Sequence, residues 1–479
     1  MDYKFETQVA KIKFEVLKEV AKSAFAGTLE QDIDKIPARV CPGPKPAYRC
    51  CIYHEREIVK ERIKVLRGLN KENPNVIEVI PIACDQCPMG GYTVTYSCRG
   101  CIGHACQQAC PRGAVTIDDQ HHAYIDKTKC INCGLCAKAC PFGAIYNFRR
   151  PCQKACTIQA ISIDENLSAK IDNSKCISCG ACLHACPFGA INDKTQIVDI
   201  IETIKKIRSG EVKRPFYAVI APSIASQFNP LTVNQIAEAI TKLGFTDVKE
   251  AALGADLVAW EEGKELAEKG VLTSSCCPAF VDFVVKRHPE LKDKVSHALS
   301  PMAAISKVIK ERHPDAIICF IGPCTAKKME IRREEVKPYV DFAMTFVELR
   351  ALFAAAEIDL DNLKGIEIND ATSYGRNFAR CGGLADAVVQ VLKELDEKEF
   401  KLLAQSCNGM AECIKAIGEL SSGKSKYNFI EGMACPGGCI SGAGSLNHNA
   451  IVAKALISMH GKKSIHKSVK ESASRYWKK

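Results

Sequence analysis

Residues 316–324 read AIICFIGPC, an apolar run that stops at a Gly-Pro-Cys loop. Three other stretches share its form: FYAVIAPS at 216–223, VLTSSCCP at 271–278 and YNFIEGMACPGG at 427–438. Runs this short suit strands buried on both faces. Helical stretches separate them, such as TVNQIAEAITKLG at 232–244 and FVELRALFAAAE at 346–357. Buried strands alternating with helices predict α/β layers with parallel sheet across 215–479. In such sheets ligands bind beyond the carboxyl ends of the strands, and the cysteine loops fall there.

Working outward, the chain reads as multidomain, α+β followed by α/β. Its 479 residues suggest two or three domains, and 47% apolar with 25% charged residues is a globular composition. Residues 1–80 read as a helical region, amphipathic near 8–26 and 52–69. Between those stretches lies the Pro-rich turn VCPGPKPAYRCC, which carries Cys41, Cys50 and Cys51. Residues 81–147 and 148–195 form a cysteine-dense block. IVDIIETIKKIRSG reads as a helix in a linker, 196–214, ending at Gly210. No run approaches the ~18 apolar residues of a membrane span. The N-terminus lacks the apolar core of a secretory signal, so a cytoplasmic protein is expected.

Twenty-eight cysteines in a cytoplasmic chain of this length point to metal rather than disulfides. The formal charge of +10 must then be corrected for the clusters themselves. An oxidised thiolate-bound cubane carries roughly −2, so four would cancel about 8 charges. No basic block with interleaved aromatics supports a nucleic-acid partner.

CINCGLCAKACP places Cys130, Cys133, Cys136 and Cys140 in the bacterial ferredoxin spacing, and CISCGACLHACP repeats it with Cys176, Cys179, Cys182 and Cys186. CRGCIGHACQQACP is a variant half, Cys98, Cys101, Cys106 and Cys110, with two extra residues before its third cysteine. Because the fourth cysteine of each half ligates the other cluster, one cluster is expected on Cys98, Cys101, Cys106 and Cys140. A second falls on Cys130, Cys133, Cys136 and Cys110. The next unit keeps only Cys152 and Cys156 of its first half. Cys156 completes a third cluster with Cys176, Cys179 and Cys182. Cys152 and Cys186 are then two ligands short. Cys84 and Cys87, in CDQC, either complete a fourth cluster or the degenerate unit has lost one. His104 reads as a loop histidine, with a ligand role as the alternative. Such a chain of clusters is an electron wire.

At 215–479, Cys277, Cys324, Cys435 and Cys439 lie in three loops. The two glycines between Cys435 and Cys439 let the backbone curl so that both sulfurs face one centre. Here TSSCCPAF, GPCTAKKME and EGMACPGGCISGAG resemble, in order, the three signature motifs of [FeFe]-hydrogenases, the iron-only hydrogenases, with details similar to their group B branch. The resemblance implies an H-cluster: a cubane joined to a diiron subcluster carrying CO, cyanide and an azadithiolate. Cys277, Cys324, Cys435 and Cys439 match the cubane ligands, and Cys439 matches the one that bridges to the diiron unit. Lys327 matches the lysine bonding one cyanide, Ala221, Pro222 and Ser223 the loop around the other, and Met433 a residue against the diiron site. Cys276 matches the proton relay. Adjacent side chains of an extended segment point apart, so with Cys277 on the metal Cys276 would point elsewhere, and the relay role is what the resemblance implies. Glu262, Ser296 and Glu265 match the proton path.

Three departures stand near the implied diiron site: Phe280 where the family commonly has Trp, Gly322 where it has Met, and Gly-Ala-Gly-Ser at 442–445 where it has Gly-Gly-Gly-Gln. Cys407 and Cys413 are extra thiols, while Cys319 and Cys381 read as buried core residues.

The implied function is reversible hydrogen oxidation and proton reduction, an oxidoreductase activity of the ferredoxin-hydrogenase type. The implied substrates are hydrogen and protons. The implied partners are ferredoxin or a similar carrier and the maturation enzymes that install the diiron site. Three to four additional [4Fe-4S] clusters would relay the electrons. The alternative is a hydrogenase-related iron–sulfur assembly or hydrogen-sensing protein with little or no turnover.

Overall fold

A computed structural model describes residues 4–474 except 89, 398 and 399. Helices Gln8–Ala26 and Ile52–Leu66 coincide with the two amphipathic N-terminal stretches. Thr7 caps the first by accepting the Ala10 N–H, and Gly27 closes it in a left-handed conformation. Its apolar face (Phe14, Leu17, Val20) is not a separate core. It joins Ile197, Ile200, Ile201 and Ile204 of helix Ile197–Arg208 and the interior of the C-terminal region in one continuous cluster. The expected linker is therefore a packed wall as well as a connection.

The cysteine block contains eight short strands: β1 (Ile77–Val79), β2 (Gly91–Val94), β3 (Val115–Ile117), β4 (Ala123–Ile125), β5 (Ile145–Phe148), β6 (Ile161–Ile163), β7 (Ala169–Ile171) and β8 (Ile191–Asp193). They pair antiparallel as β2–β5, β3–β4, β6–β7 and β1–β8. The last pairing matters most. β1 falls within the segment expected to be helical, yet it closes the second ferredoxin-like unit by joining that unit's final strand. The unit spanning β2–β5 is thus inserted inside the unit formed by β1 and β6–β8. A three-residue strand beside a long amphipathic helix leaves little periodic signal, so the pairing is invisible locally.

The C-terminal region contains β9 (Phe216–Ile220), β10 (Asp247–Glu250), β11 (Leu272–Thr273), β12 (Ile317–Gly322), β13 (Phe342–Thr345), β14 (Ala404–Asn408) and β15 (Phe429–Met433). They form two parallel sheets, ordered β10-β9-β12-β13 and β11-β15-β14. Strands β9, β12 and β15 are buried throughout, as their unbroken apolar runs require. Helix Ala251–Lys269 ties the lobes together. Its fully buried Asp256 accepts hydrogen bonds from the Thr372 N–H and the Ser472 hydroxyl, both at 2.8 Å.

Candidate metal centre

The loops after β9, β11, β12 and β15 converge on one cavity of about 80 Å³. Cys277, Cys324, Cys435 and Cys439 all line it, as do Cys276, Lys327, Ala221, Pro222 and Met433. Ser223 is fully buried just behind that wall, and its hydroxyl has no hydrogen-bond partner. The two adjacent thiols do not face opposite ways: both Cys276 and Cys277 line the cavity. Cys277 caps helix Pro278–Arg287, so the chain turns between them and strand alternation no longer applies.

The donor set suits an iron–sulfur cluster. Burial, and then the neighbouring Cys277, push the Cys324 thiol up to about 11. Burial and the same neighbours push Cys439 up to about 12, and Cys435 is driven well above the ordinary thiol range. Thiols held this close in an apolar pocket become thiolates when a metal supplies the compensating charge. Lys327 is the nearby cation that favours ionisation of Cys324 and Cys439. Its Nζ also pairs with Glu330 at 2.6 Å and lies 3.5 Å from the Cys276 carbonyl.

Glu262 is fully buried, and burial raises its carboxyl to about 8. Its Oε1 accepts the Ser275 N–H at 2.8 Å and the Ser275 hydroxyl at 2.9 Å, while Oε2 has no partner. Further out, Ser296 Oγ donates to Glu265 Oε2 at 2.9 Å. Glu265 also meets Lys269 at 2.7 Å and the exposed His297 ring at 2.5 Å. The expected path residues thus form two pairs, a buried one of Ser275 and Glu262 and an outer one of Ser296 and Glu265. Ser275 was missed in the sequence because its partner lies one helix earlier.

Each of the three departures has its own close neighbour. A side chain at Gly322 would strike the Phe320 ring at 2.5 Å, and Phe320 lines the cavity. An aromatic ring two residues upstream therefore occupies the space a residue-322 side chain would need. Phe280 is fully buried against Gly432, where an added Cβ would lie 2.2 Å from its ring. Ala443 abuts Gly180 of the second ferredoxin-like unit, and a Cβ on Gly180 would come within 2.5 Å of it.

The cysteines of residues 81–195 fall into four groups. Cys106 has Cys140 and Cys101 as neighbours, and Cys136 has Cys130 and Cys110. Cys98 packs with the same small core, and Cys110, Cys130, Cys133 and Cys136 surround one pocket. Cys156, Cys176, Cys179 and Cys182 surround another. Cys152 is pushed to about 11 by burial, then by Cys186, Cys87 and Cys84. The split unit thus brings Cys84 and Cys87 to Cys152 and Cys186 from across the inserted unit. In all four halves the last cysteine's sulfur accepts a backbone N–H four residues on, at 3.2–3.4 Å, from Ala114, Ala144, Ala160 and Ala190.

Cys179 lines the cavity of Cys277, Cys324, Cys435 and Cys439 as well, beside Cys324. Thr325 Oγ1 donates to the Ser178 carbonyl at 2.7 Å and fixes that contact. His104 is a half-buried helix-capping residue at φ 40°. Cys319 is fully buried as expected, whereas Cys381 is only half-buried, beside Glu431 and Cys407. Cys407 and Cys413 are buried together, and Cys413 Sγ donates to the Met433 carbonyl at 3.6 Å. Cys41 is half-buried beside Glu55 and Arg56. Cys50 Sγ lies 3.2 Å from His54 Nδ1, and Cys51 Sγ accepts the His54 N–H.

Residues 214–443 match the family described as the iron-only hydrogenase large subunit, C-terminal domain, and residues 123–146 and 169–192 match the 4Fe-4S binding domain. The chain is 30% identical over 387 residues to the periplasmic [Fe] hydrogenase large subunit of Nitratidesulfovibrio vulgaris, covering 68% of this chain and 87% of that protein. It is 27% identical over 286 residues to iron hydrogenase 1 of Clostridium pasteurianum, covering 48% of this chain and half of that protein. It is also 24% identical over 247 residues to the cytosolic Fe-S cluster assembly factor NAR1 of Kluyveromyces lactis, covering 37% and 53%. Among solved structures, an [FeFe]-hydrogenase from Chlamydomonas reinhardtii aligns at 20% identity and a TM-score of 0.48, covering 58% of this chain and 92% of that one.

Proposed function

Because the chain belongs to the iron-only hydrogenase family, we propose that it interconverts two protons and two electrons with molecular hydrogen. The observation that carries this reading is the single cavity. Four thiols suited to a cubane share it with Cys276, Lys327, Met433 and the Ala221–Pro222 loop. An H-cluster held there would supply the redox-active iron at which hydrogen is made or split. Cys277, Cys324, Cys435 and Cys439 would hold its cubane, with Cys439 also reaching the diiron part. Lys327 would donate a hydrogen bond to an anionic ligand within a low-dielectric pocket, where such a contact is strongest.

Cys276 moves the proton. Its thiol is buried and held far above the usual range, by burial and then by Glu262, so it rests protonated and can give and retake a proton. Glu262, also protonated near neutrality, would exchange with it, and Ser296 and Glu265 would carry the proton outward. His297 and Lys269 hold the solvent end of that route. Electrons would pass from the inserted ferredoxin-like unit to the Cys84/Cys87/Cys152/Cys186 site, then to the Cys156/Cys176/Cys179/Cys182 site and into the cavity through Cys179. The inserted unit exposes Tyr96, Ile102, Tyr124, Ile131, Phe142 and Tyr146, an apolar surface suited to a small electron carrier such as ferredoxin.

The match to cytosolic assembly factors supports a second reading, an iron–sulfur protein without turnover. Cys276 and Lys327 in the cavity wall favour the enzyme, because a cubane alone uses neither. Infrared spectroscopy of anaerobically matured protein separates the two. CO and cyanide bands are expected, and their absence would defeat the hydrogenase reading.

A further inference from the structure

Glu6, His184 and His448 come together outside the cavity of Cys277, Cys324, Cys435 and Cys439, each from a different part of the chain. Glu6 precedes the first long helix, His184 lies between Cys182 and Cys186, and His448 follows the Cys439 loop. Glu6 Oε2 is 2.7 Å from His448 Nδ1, and Glu6 Oε1 accepts the His448 backbone N–H at 2.8 Å. His448 Nε2 lies 3.2 Å from the Gly442 carbonyl oxygen. The His184 ring rests on the His448 ring with centroids 4.1 Å apart. One donor atom from each residue lies within 4.8 Å of the other two.

Hydrogen-bond geometry is compatible with ligand atoms on all three side chains. The Gly442 oxygen only accepts, so a hydrogen bond to it would place the ring hydrogen of His448 on Nε2. That leaves Nδ1 facing an ionised carboxylate, which also only accepts. In that tautomer Nδ1 and the Glu6 carboxylate are both free to act as ligand atoms. An imidazole whose far N–H is fixed by a backbone carbonyl is the usual arrangement of a metal-bound histidine. The ring nitrogens of His184 have no hydrogen-bond partner among the described residues, so they remain available as donors. A bound cation would satisfy all three groups at once.

We propose that Glu6, His184 and His448 form a binding site for a divalent transition metal, such as zinc, that ties the N-terminal segment and the second ferredoxin-like unit to the loop after Cys439. Two imidazoles and one carboxylate suit zinc and its neighbours and are a poor set for magnesium or calcium, which take oxygen ligands. Three protein ligands leave a position for water. The Glu6 and His448 side chains are 38% and 18% exposed, and a cavity of about 100 Å³ adjoins them. The opposing charges on that cavity are Lys13, Arg62 and Arg350, and Asp193 and Glu348 also line it. Lys13 is lowered to about 8 by burial and then by Arg62, and its Nζ is engaged by the Ile191 carbonyl at 2.8 Å. The site stands independently of hydrogenase turnover, since no residue of it touches the catalytic cavity.

The test uses cluster-loaded protein, stripped of loosely held metal with a chelator and titrated anaerobically with zinc. One zinc per chain is expected, with a nitrogen/oxygen shell and imidazole scattering in its X-ray absorption spectrum. A rise in melting midpoint should accompany it. Glu6→Gln and His448→Ala should each lose that zinc and the rise in midpoint while keeping their full iron content. Sulfur scattering would place the zinc on free thiols and overturn the proposal. So would zinc retained equally by both variants, or no zinc bound by the parent protein. Glu6→Gln is a near-isosteric change outside any helix, so its result is readable even if His448→Ala folds poorly.

Discussion

Cys276 and Cys277 show how far a single residue pair can be read from sequence. The resemblance of their motif implies a metal ligand in one and a proton carrier in its neighbour, but the structure changes the geometric reason. The two thiols line the same cavity because a helix begins at Pro278. General acid–base groups contribute roughly 10²–10⁴-fold to rate. Cys276→Ala should therefore lower turnover at least about a hundredfold, with the CO and cyanide bands unchanged. Retained activity would remove Cys276 from the mechanism. Glu262 makes a separate prediction about pH. Its carboxyl is raised from 4.5 to about 8 in the folded protein, so folding favours its protonated form. The stability this contributes is fully present below 4.5 and is lost as pH rises towards about 8. Glu262→Gln lacks that dependence. Melting midpoints measured across this window should move steadily in the variant's favour as pH rises, and parallel curves would contradict the assignment.

At the scale of elements, the parallel strands were legible because each carries an unbroken apolar run ending in a loop. The short strands of the cysteine block were not, since three residues give no period and their pairing depends on distant sequence. The half containing Cys152 and Cys156 looked degenerate for this reason: its first two cysteines, Cys84 and Cys87, lie before the inserted unit. That half also departs at Gln159, which takes φ 55° at the position where the other three halves use Gly113, Gly143 and Gly189 at φ 57–63°. A side chain in the left-handed region costs about 1–2 kcal/mol, partly offset by the entropy glycine adds to the unfolded chain. Gln159→Gly should stabilise the protein by about 0.5–1 kcal/mol, seen as a higher melting midpoint with unchanged iron content. A lower midpoint would mean that the glutamine side chain contributes contacts that outweigh the strain.

Across the whole molecule, nesting one ferredoxin-like unit inside the other sets the order of the wire. The inserted unit leaves and rejoins its host next to Cys87 and Cys152. Arg150 clamps that junction by donating to the Pro88 carbonyl at 3.1 Å and the Cys87 carbonyl at 3.4 Å. On the other side, Arg49 pairs with Asp85 at 2.8 Å and donates to the Ala83 and Phe188 carbonyls. Cys84, Cys87, Cys152 and Cys186 therefore meet where the inserted unit joins the rest of the chain, and on the proposed route electrons from the outer clusters would cross that point. A cubane there accounts for three facts together: four thiols converge, burial and mutual repulsion raise Cys152, and two arginines brace the loops. Cys87→Ser should then remove about four irons per chain and leave the H-cluster infrared bands intact. Turnover driven by ferredoxin should fall steeply, because the carrier docks beyond the break. Turnover driven by a small reductant that reaches the inner clusters directly should fall much less. An unchanged iron count would mean the four thiols hold no cluster. Equal losses with both reductants would mean that electrons do not enter through the inserted unit.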